Sequence, residues 1–353
     1  MFLAKDYLLD LVTGKKNGPL SVFLRGCLFV LSWVYGLLVV ILAGFYRIRP
    51  KHFNAKVISV GNITLGGTGK TTLVEYLSSK LTLAGNKVAV LSRGYKRDSR
   101  RSGAFGLGDE PAMLAHNLPL VSVVVNKNRI KAAQIAIQDY AANILVLDDG
   151  LQQWKIYKDL EIITIDAQNP FGNQRLLPAG FLREPLSALK RADIFVITQV
   201  CLGEDLGGLA AKLKRINSRA LIVESRHEIQ GFSRLNQADE FLGIDFLKGK
   251  SVAIFSGIGN PEGFKNSVSE LGIKVVKYYK FTDHYDYTQI DILNMVRESQ
   301  ENNLELLITT QKDAIKIREL GVKWPTILVL EIKLKIIKNE AEFNRRLFEL
   351  RAV

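Results

Sequence analysis

The chain is poor in thiols: its 353 residues include only two cysteines, Cys27 and Cys201. Two are too few for a disulfide framework or a metal knuckle, and they read as the reduced thiols of a cytoplasmic protein. Internal repeats and low-complexity tracts are also missing. No Lys/Arg block is interleaved with aromatics as a nucleic-acid groove would require, so no nucleic-acid partner is expected. Acidic residues fall short of basic ones, 35 against 48, leaving a formal charge of +13. That excess implies an anionic partner, and among nucleic acid, a phosphorylated substrate and an anionic bilayer surface the charge alone does not choose. The 47% apolar and 24% charged content is ordinary for a folded protein. The length suffices for two α/β domains with their own cores.

Short Val/Ile-rich runs at residues 56–60, 87–91, 121–125, 144–147, 161–165 and 194–198 alternate with helically spaced segments such as Leu73, Val74, Leu77 and Leu81. This alternation predicts a doubly wound, mostly parallel α/β sheet. A second strand series starts at 251 and continues at 274–278, 306–310 and 326–331. The less regular stretch between the two series, from about residue 202, marks a junction. The expected division is an N-terminal segment (1–50), a nucleotide-binding domain (51–205), a junction (206–250) and a smaller α/β domain (251–353).

The segment VISVGNITLGGTGKTTLVEYL places a glycine-rich turn between a buried strand and a helix. Glycines let backbone N–H groups turn inward around phosphate oxygens, and the helix N-terminus adds partial positive charge. Thr64, Leu65, Gly66, Gly67, Thr68, Gly69, Lys70 and Thr71 form the expected ATP loop. Lys70 reaches the terminal phosphates and Thr71 ligates Mg²⁺. The consensus requires Gly where this chain has Thr64. Partition-type ATPases carry a lysine where this chain has Leu65, which counts against that class. Guanine reading is unsupported, because the nearest match, Thr310-Gln311-Lys312-Asp313, has the wrong spacing. Asp148 and Asp149 end a buried apolar run and suit a Walker-B metal role; the bland alternative is an acidic turn.

Residues 27–46 are twenty residues without a formal charge, flanked by Arg25 and by Arg47, Arg49 and Lys51. As a helix they would measure about 30 Å, enough to cross a hydrocarbon core. A cleaved signal peptide fits poorly, since the run is too long and cleavage would export the nucleotide loop. A buried core helix is the bland reading. Membrane association is expected. A full span would leave Lys15, Lys16 and Arg25 outside, against the positive-inside tendency, so a monotopic or re-entrant anchor in the cytoplasmic leaflet is favoured.

Taken together, several motifs resemble the tetraacyldisaccharide 4′-kinases, the lipid A 4′-kinases of Gram-negative bacteria. They comprise Trp33-Val34-Tyr35-Gly36, Val60-Gly61-Asn62-Ile63-Thr64 running into the loop, Ser92-Arg93-Gly94-Tyr95 and Gly108-Asp109-Glu110-Pro111. Further on come Asp148-Asp149-Gly150-Leu151-Gln152, Leu177-Pro178-Ala179-Gly180 with Arg183-Glu184, Gly257-Ile258-Gly259-Asn260-Pro261, Asp283-His284 and Lys312-Asp313-Ala314. The family pattern makes Thr64 normal. Thr72, Gln153 and Gln311 depart from it, where the family tends to have Pro, His and Glu.

The resemblance implies transfer of the ATP γ-phosphoryl group to the 4′-hydroxyl of a tetraacylated disaccharide 1-phosphate, at the cytoplasmic face of the inner membrane. It implies Asp109 as general base paired with His284, although Asp109 alone reads as a helix N-cap and His284 as a solvated loop residue. Arg93, Arg129 and Arg183 become candidates for phosphate or substrate contacts, and Glu184 a candidate member of the Mg²⁺ site. Two other readings stay open: a membrane-recruited P-loop ATPase acting as a partner-binding switch, and a small-molecule ligase or synthase.

Overall fold

The computed structural model describes residue 7 and residues 10–94, 108–201, 203–304, 306–321, 324 and 326–350; Tyr95 of the matched motifs lies outside them. In chain order the elements begin with α1 (Pro19–Ile48), β1 (Lys56–Gly61), α2 (Lys70–Leu83), β2 (Val88–Ser92), α3 (Asp109–Asn117), β3 (Ser122–Val125) and α4 (Arg129–Tyr140). Next come β4 (Ile144–Asp148), β5 (Leu160–Asp166), β6 (Ile194–Thr198), α5 (Gly207–Ile216), β7 (Leu221–Arg234) and β8 (Gln237–Leu242). The last are β9 (Ser251–Ser256), α6 (Pro261–Glu270), β10 (Lys274–Lys280), α7 (Gln289–Glu301), β11 (Leu307–Thr310), α8 (Gln311–Arg318), β12 (Ile327–Lys338) and α9 (Glu340–Phe348).

Packing sorts these into two compact units, and neither is a single stretch of chain. The first holds Met1–Arg93, Leu120–Arg226 and Ile336–Val353; the second holds Gly94–Pro119 and His227–Lys335. The expected domains followed chain order instead. Side-chain contacts account for the difference. Helix α3 buries Ala112 and Met113 against Ile315 of α8 in the second unit. Helix α9 docks on α2 in the first, where Tyr76 and Lys80 donate to Glu340 at 3.2 and 3.1 Å. The expected junction also proves regular, since it contains α5 and an antiparallel β7–β8 hairpin with Phe232 opposite Leu242. Glu224, Arg226, His227 and Glu228 interrupt β7, so this half-exposed strand offers no apolar run to find.

In the first unit the strand order is β3-β2-β4-β1-β5-β6-β7, with all pairs parallel. Both faces are covered, so the strands are mostly apolar; Ile58, Val60, Leu145, Ile162 and Val196 are fully buried. Helix α2 buries Leu73, Val74, Leu77 and Leu81 on its inner face. The chain builds outward in both directions from β1, and ligands of such sheets bind at the carboxyl ends of the strands near that reversal.

Helix α1, about 45 Å long at 1.5 Å per residue, meets the rest of its unit through a stripe of small residues: Ser32, Gly36, Val39 and Ala43 are buried. Its large apolar side chains stay exposed, Trp33 at 69%, Leu37 at 63% and Phe45 at 67%. A core helix would bury them, so that reading fails. Among the described residues, α1 is the one helix long and apolar enough to cross a membrane.

In the second unit the parallel order β10-β9-β11-β12 carries α6, α7 and α8. Its core gathers Phe255, Ile292, Leu307, Ala314, Ile327 and Val329.

Candidate active site

The phosphate loop leaves β1 at Gly61 and enters α2 at Lys70. Gly66 and Gly69 take φ of 117° and 68°, the left-handed region where a side chain would be strained. Thr64 needs no such freedom. It is buried and forms an antiparallel bridge with Leu182, so extended backbone suffices where the general consensus has Gly. Thr68 is tied down through its hydroxyl to Thr164 at 2.7 Å and through its carbonyl to Thr198 Oγ1 at 3.0 Å. Lys70 Nζ donates to Asn62 Oδ1 at 3.0 Å. Asn62 in turn donates to the Thr64 carbonyl at 2.8 Å, so one buried amide aims the lysine and shapes the loop.

The register of β1 on β4 sets Asp148 opposite Val60, at the strand end beside the loop. Asp148 is buried and accepts from Ser92 Oγ at 3.3 Å. Asp149, in left-handed backbone at φ 56°, lies 3.6 Å from Lys70 Nζ and receives Arg183 Nη1 on both oxygens at 2.9 and 2.8 Å. Burial opposes its ionisation, but Lys70, Arg183 and Arg129 together hold its pKa below the ordinary value. Magnesium takes few protein ligands beside phosphate and water oxygens, so the Thr71 hydroxyl with one of these carboxylates fits it.

Two of the expected site residues, Glu184 and Arg129, are engaged with protein groups. Glu184 is 1% exposed, and Arg191 grips both its oxygens at 2.8 and 2.9 Å. Gln152 and Trp154 also donate to Oε1, at 3.1 and 3.3 Å. With its oxygens engaged by Arg191, Gln152 and Trp154, Glu184 is held as a buried brace. Arg129 is likewise buried and spends its guanidinium on the carbonyls of Asn126 and Asp148 at 2.9 and 3.1 Å. It braces the loop ends of β3 and β4. Arg93 is exposed at the end of β2.

The second unit holds a separate cluster. Gly108 caps α3, so Asp109 occupies the first helical position and makes no side-chain cap. Its Oδ2 instead meets His284 Nδ1 at 2.7 Å and Lys316 Nζ at 3.0 Å. Burial opposes ionisation of Asp109, yet these two partners overcome it and hold the carboxyl at about 2, well below the usual carboxylate range. His284 sits in left-handed backbone at φ 60°, with Lys312 Nζ 3.3 Å from its Nε2. Lys316 was not anticipated. The available signal was its position one helical turn after Lys312 on α8. Asp313, fully buried, accepts from Gly257 N at 3.2 and 3.1 Å and so holds the Gly257–Pro261 turn.

A glycine turn from buried strand to helix, with its lysine aimed by a buried amide toward a strand-end carboxylate, defines the P-loop kinases. Within that class the sequence relationships are specific. The model of one family, tetraacyldisaccharide-1-P 4′-kinase, matches residues 24–351. The tetraacyldisaccharide 4′-kinase of Halothermothrix orenii is 36% identical over 90% of both chains. That of Elusimicrobium minutum is 35% identical over 95% of this chain and 94% of its own. Among solved structures, LpxK from Aquifex aeolicus, crystallised with ATP, superposes with a TM-score of 0.75 at 31% identity, covering 93% of this chain and 99% of that one. This chain belongs to the tetraacyldisaccharide-1-P 4′-kinase family, a family of lipid kinases.

Proposed function

We propose that the protein transfers the γ-phosphoryl group of ATP to the 4′-hydroxyl of a tetraacyldisaccharide 1-phosphate, at the cytoplasmic face of the inner membrane. The observation that carries the reading is the Asp109–His284–Lys316 cluster in a chain that also has a complete P-loop.

We assign the donor side to the first unit. Loop N–H groups and Lys70 hold the nucleotide phosphates, and Asn62 and Asp149 fix the lysine. Thr71 with Asp148 or Asp149 would hold Mg²⁺, which when bound neutralises phosphate charge. Asp109, in the second unit, is assigned the general-base role that the family resemblance implies. The oxygen–phosphorus bond forms as the bond to ADP breaks, and the hydroxyl proton passes to the base and on to solvent. A carboxylate held at about 2 is a weak base. Its contribution is therefore orientation in a loose transition state more than proton affinity. His284 and Lys316 keep it charged and immobile.

Membrane residence is supported by the exposed apolar surface of α1 and the net charge of +13, both suited to an anionic, acylated substrate. The switch-type ATPase gains no support from the Asp109 cluster. Label transfer from γ-³²P-ATP to a lipid A disaccharide 1-phosphate tests the reading; ATP turnover without labelled lipid would overturn it.

A further inference from the structure

The apolar helix α1 is bound to the phosphate loop through one intervening segment. Tyr35, midway along α1, donates from its hydroxyl to the backbone carbonyl of Arg183 at 2.9 Å. One residue on, Gly36 lies so close to Leu176 that a Cβ there would come within 2.5 Å of Leu176 Cδ1. Residues 176–183 then run on to the nucleotide loop. Arg183 N donates to the Ile63 carbonyl at 2.8 Å, Leu65 N to the Phe181 carbonyl at 2.7 Å, and Thr64 bridges Leu182. The same Arg183 that receives Tyr35 on its carbonyl grips Asp149 with its guanidinium.

Every link lies within the first unit, and each is a hydrogen bond or a close van der Waals contact. The chemistry is selective. Tyr35 is a polar-tipped residue in an otherwise apolar run, and a tyrosine hydroxyl in such surroundings needs a partner. The carbonyl it meets belongs to a residue whose other end is already committed to the site. A glycine beside it admits the tip of Leu176, which any Cβ there would force to shift.

We propose that Tyr35 is a positioning residue for nucleotide binding. Seated on the Arg183 carbonyl, it holds residues 176–183 against Ile63–Leu65 and aims Arg183 at Asp149, so that the seating of α1 sets the affinity for MgATP. By thermodynamic reciprocity, bound nucleotide strengthens the seating of the helix. The inference rests on the reading of residues 64–71 as the ATP loop.

The test is a calorimetric titration of the full-length protein in detergent with MgATP, in the absence of lipid substrate. Losing one neutral hydrogen bond should weaken binding about fivefold in Tyr35→Phe. Gly36→Val should weaken it further by wedging Leu176 aside, and Gly36→Val with Leu176→Ala should recover most of that loss. Such rescue would not follow if the helix merely added bulk stability. Wild-type affinity in Tyr35→Phe overturns the proposal. If that variant fails to fold, absence of rescue in the Gly36 pair overturns it instead. Lys70→Ala, titrated alongside, separates the premises: if it too keeps wild-type affinity, the ATP-loop reading has failed and not merely the coupling.

Discussion

Asp109 Oδ2 accepts from His284 Nδ1 and pairs with Lys316 Nζ, at 2.7 and 3.0 Å, so two cationic or donor groups converge on one carboxylate oxygen. With its charge so held, Asp109 stays ionised throughout the range in which a kinase works. Asp109→Asn should lower kcat by about 10²–10⁴-fold while leaving the MgATP dissociation constant within about twofold. A change confined to KM would make Asp109 a binding residue. The pH–rate profile of the wild type should show no limb from Asp109 above about pH 4.

The same contact links stability to acid. The folded value of about 2 lies below the ordinary 3.8, so the ionised carboxylate stabilises the fold above about pH 4. That contribution is lost as pH falls toward 2, and from the size of the shift it amounts to about 2 kcal/mol. Denaturant unfolding of wild type and Asp109→Asn at pH 7 and pH 3 should show the gap between them narrowing at the lower pH. A constant gap would contradict the ion-pair account.

Lys70 lies between Asn62 and Asp149, at 3.0 and 3.6 Å. Removing it deletes the charge that meets the terminal phosphates. Lys70→Ala should reduce label transfer to lipid by at least about 10²-fold. Near-wild-type turnover in this variant would dismiss the ATP-loop assignment.

Glu184 separates a brace from a ligand. Its buried pair with Arg191 implies that Glu184→Ala costs about 1–3 kcal/mol in unfolding free energy, because the guanidinium loses its two shortest charge-assisted bonds and keeps Glu161, at 3.8 Å, as a counter-charge. Its Mg²⁺ dependence should match the wild type. A raised Mg²⁺ requirement with unchanged stability would restore Glu184 to the metal site.

The exposed side of α1 should govern membrane residence without touching the nucleotide. Leu37→Gln with Ile41→Gln removes two exposed apolar side chains. It should weaken sedimentation with anionic vesicles by about 10²-fold or more, at roughly 1.5–3 kcal/mol per side chain. MgATP affinity should hold. Equal vesicle binding by both proteins would argue that this face meets something other than lipid. These substitutions isolate the membrane term better than deleting residues 1–46, which would also remove Tyr35 from Arg183.

Most of the first unit could be read in advance. The expected strand at 194–198 coincides with β6, and those at 56–60 and 144–147 each stop one residue short of β1 and β4. Buried parallel strands are continuous apolar runs, and such runs show in a sequence. The β7–β8 hairpin escaped because Glu224, Arg226 and Glu228 break its pattern, and the charged, half-exposed strand read as a junction. Read alone, Asp109 suits a helix N-cap, but Gly108 holds that place. For Arg129 and Glu184 the sequence shows that a residue is charged but not what it is buried against.

The amino-acid sequence alone determined the glycine turn, the lysine that ends it and the apolar length of α1. Each of these rests on bonds within a few residues: backbone conformation, helix spacing, an uninterrupted run without charge. Tertiary packing decided which charges are tools and which are braces. His284 lies 175 residues from Asp109, and Tyr35 lies 148 from Arg183. Pairings over such separations exist only once strands and helices have fixed their registers, and a buried charge takes its role from whichever partner that packing brings within about 3 Å.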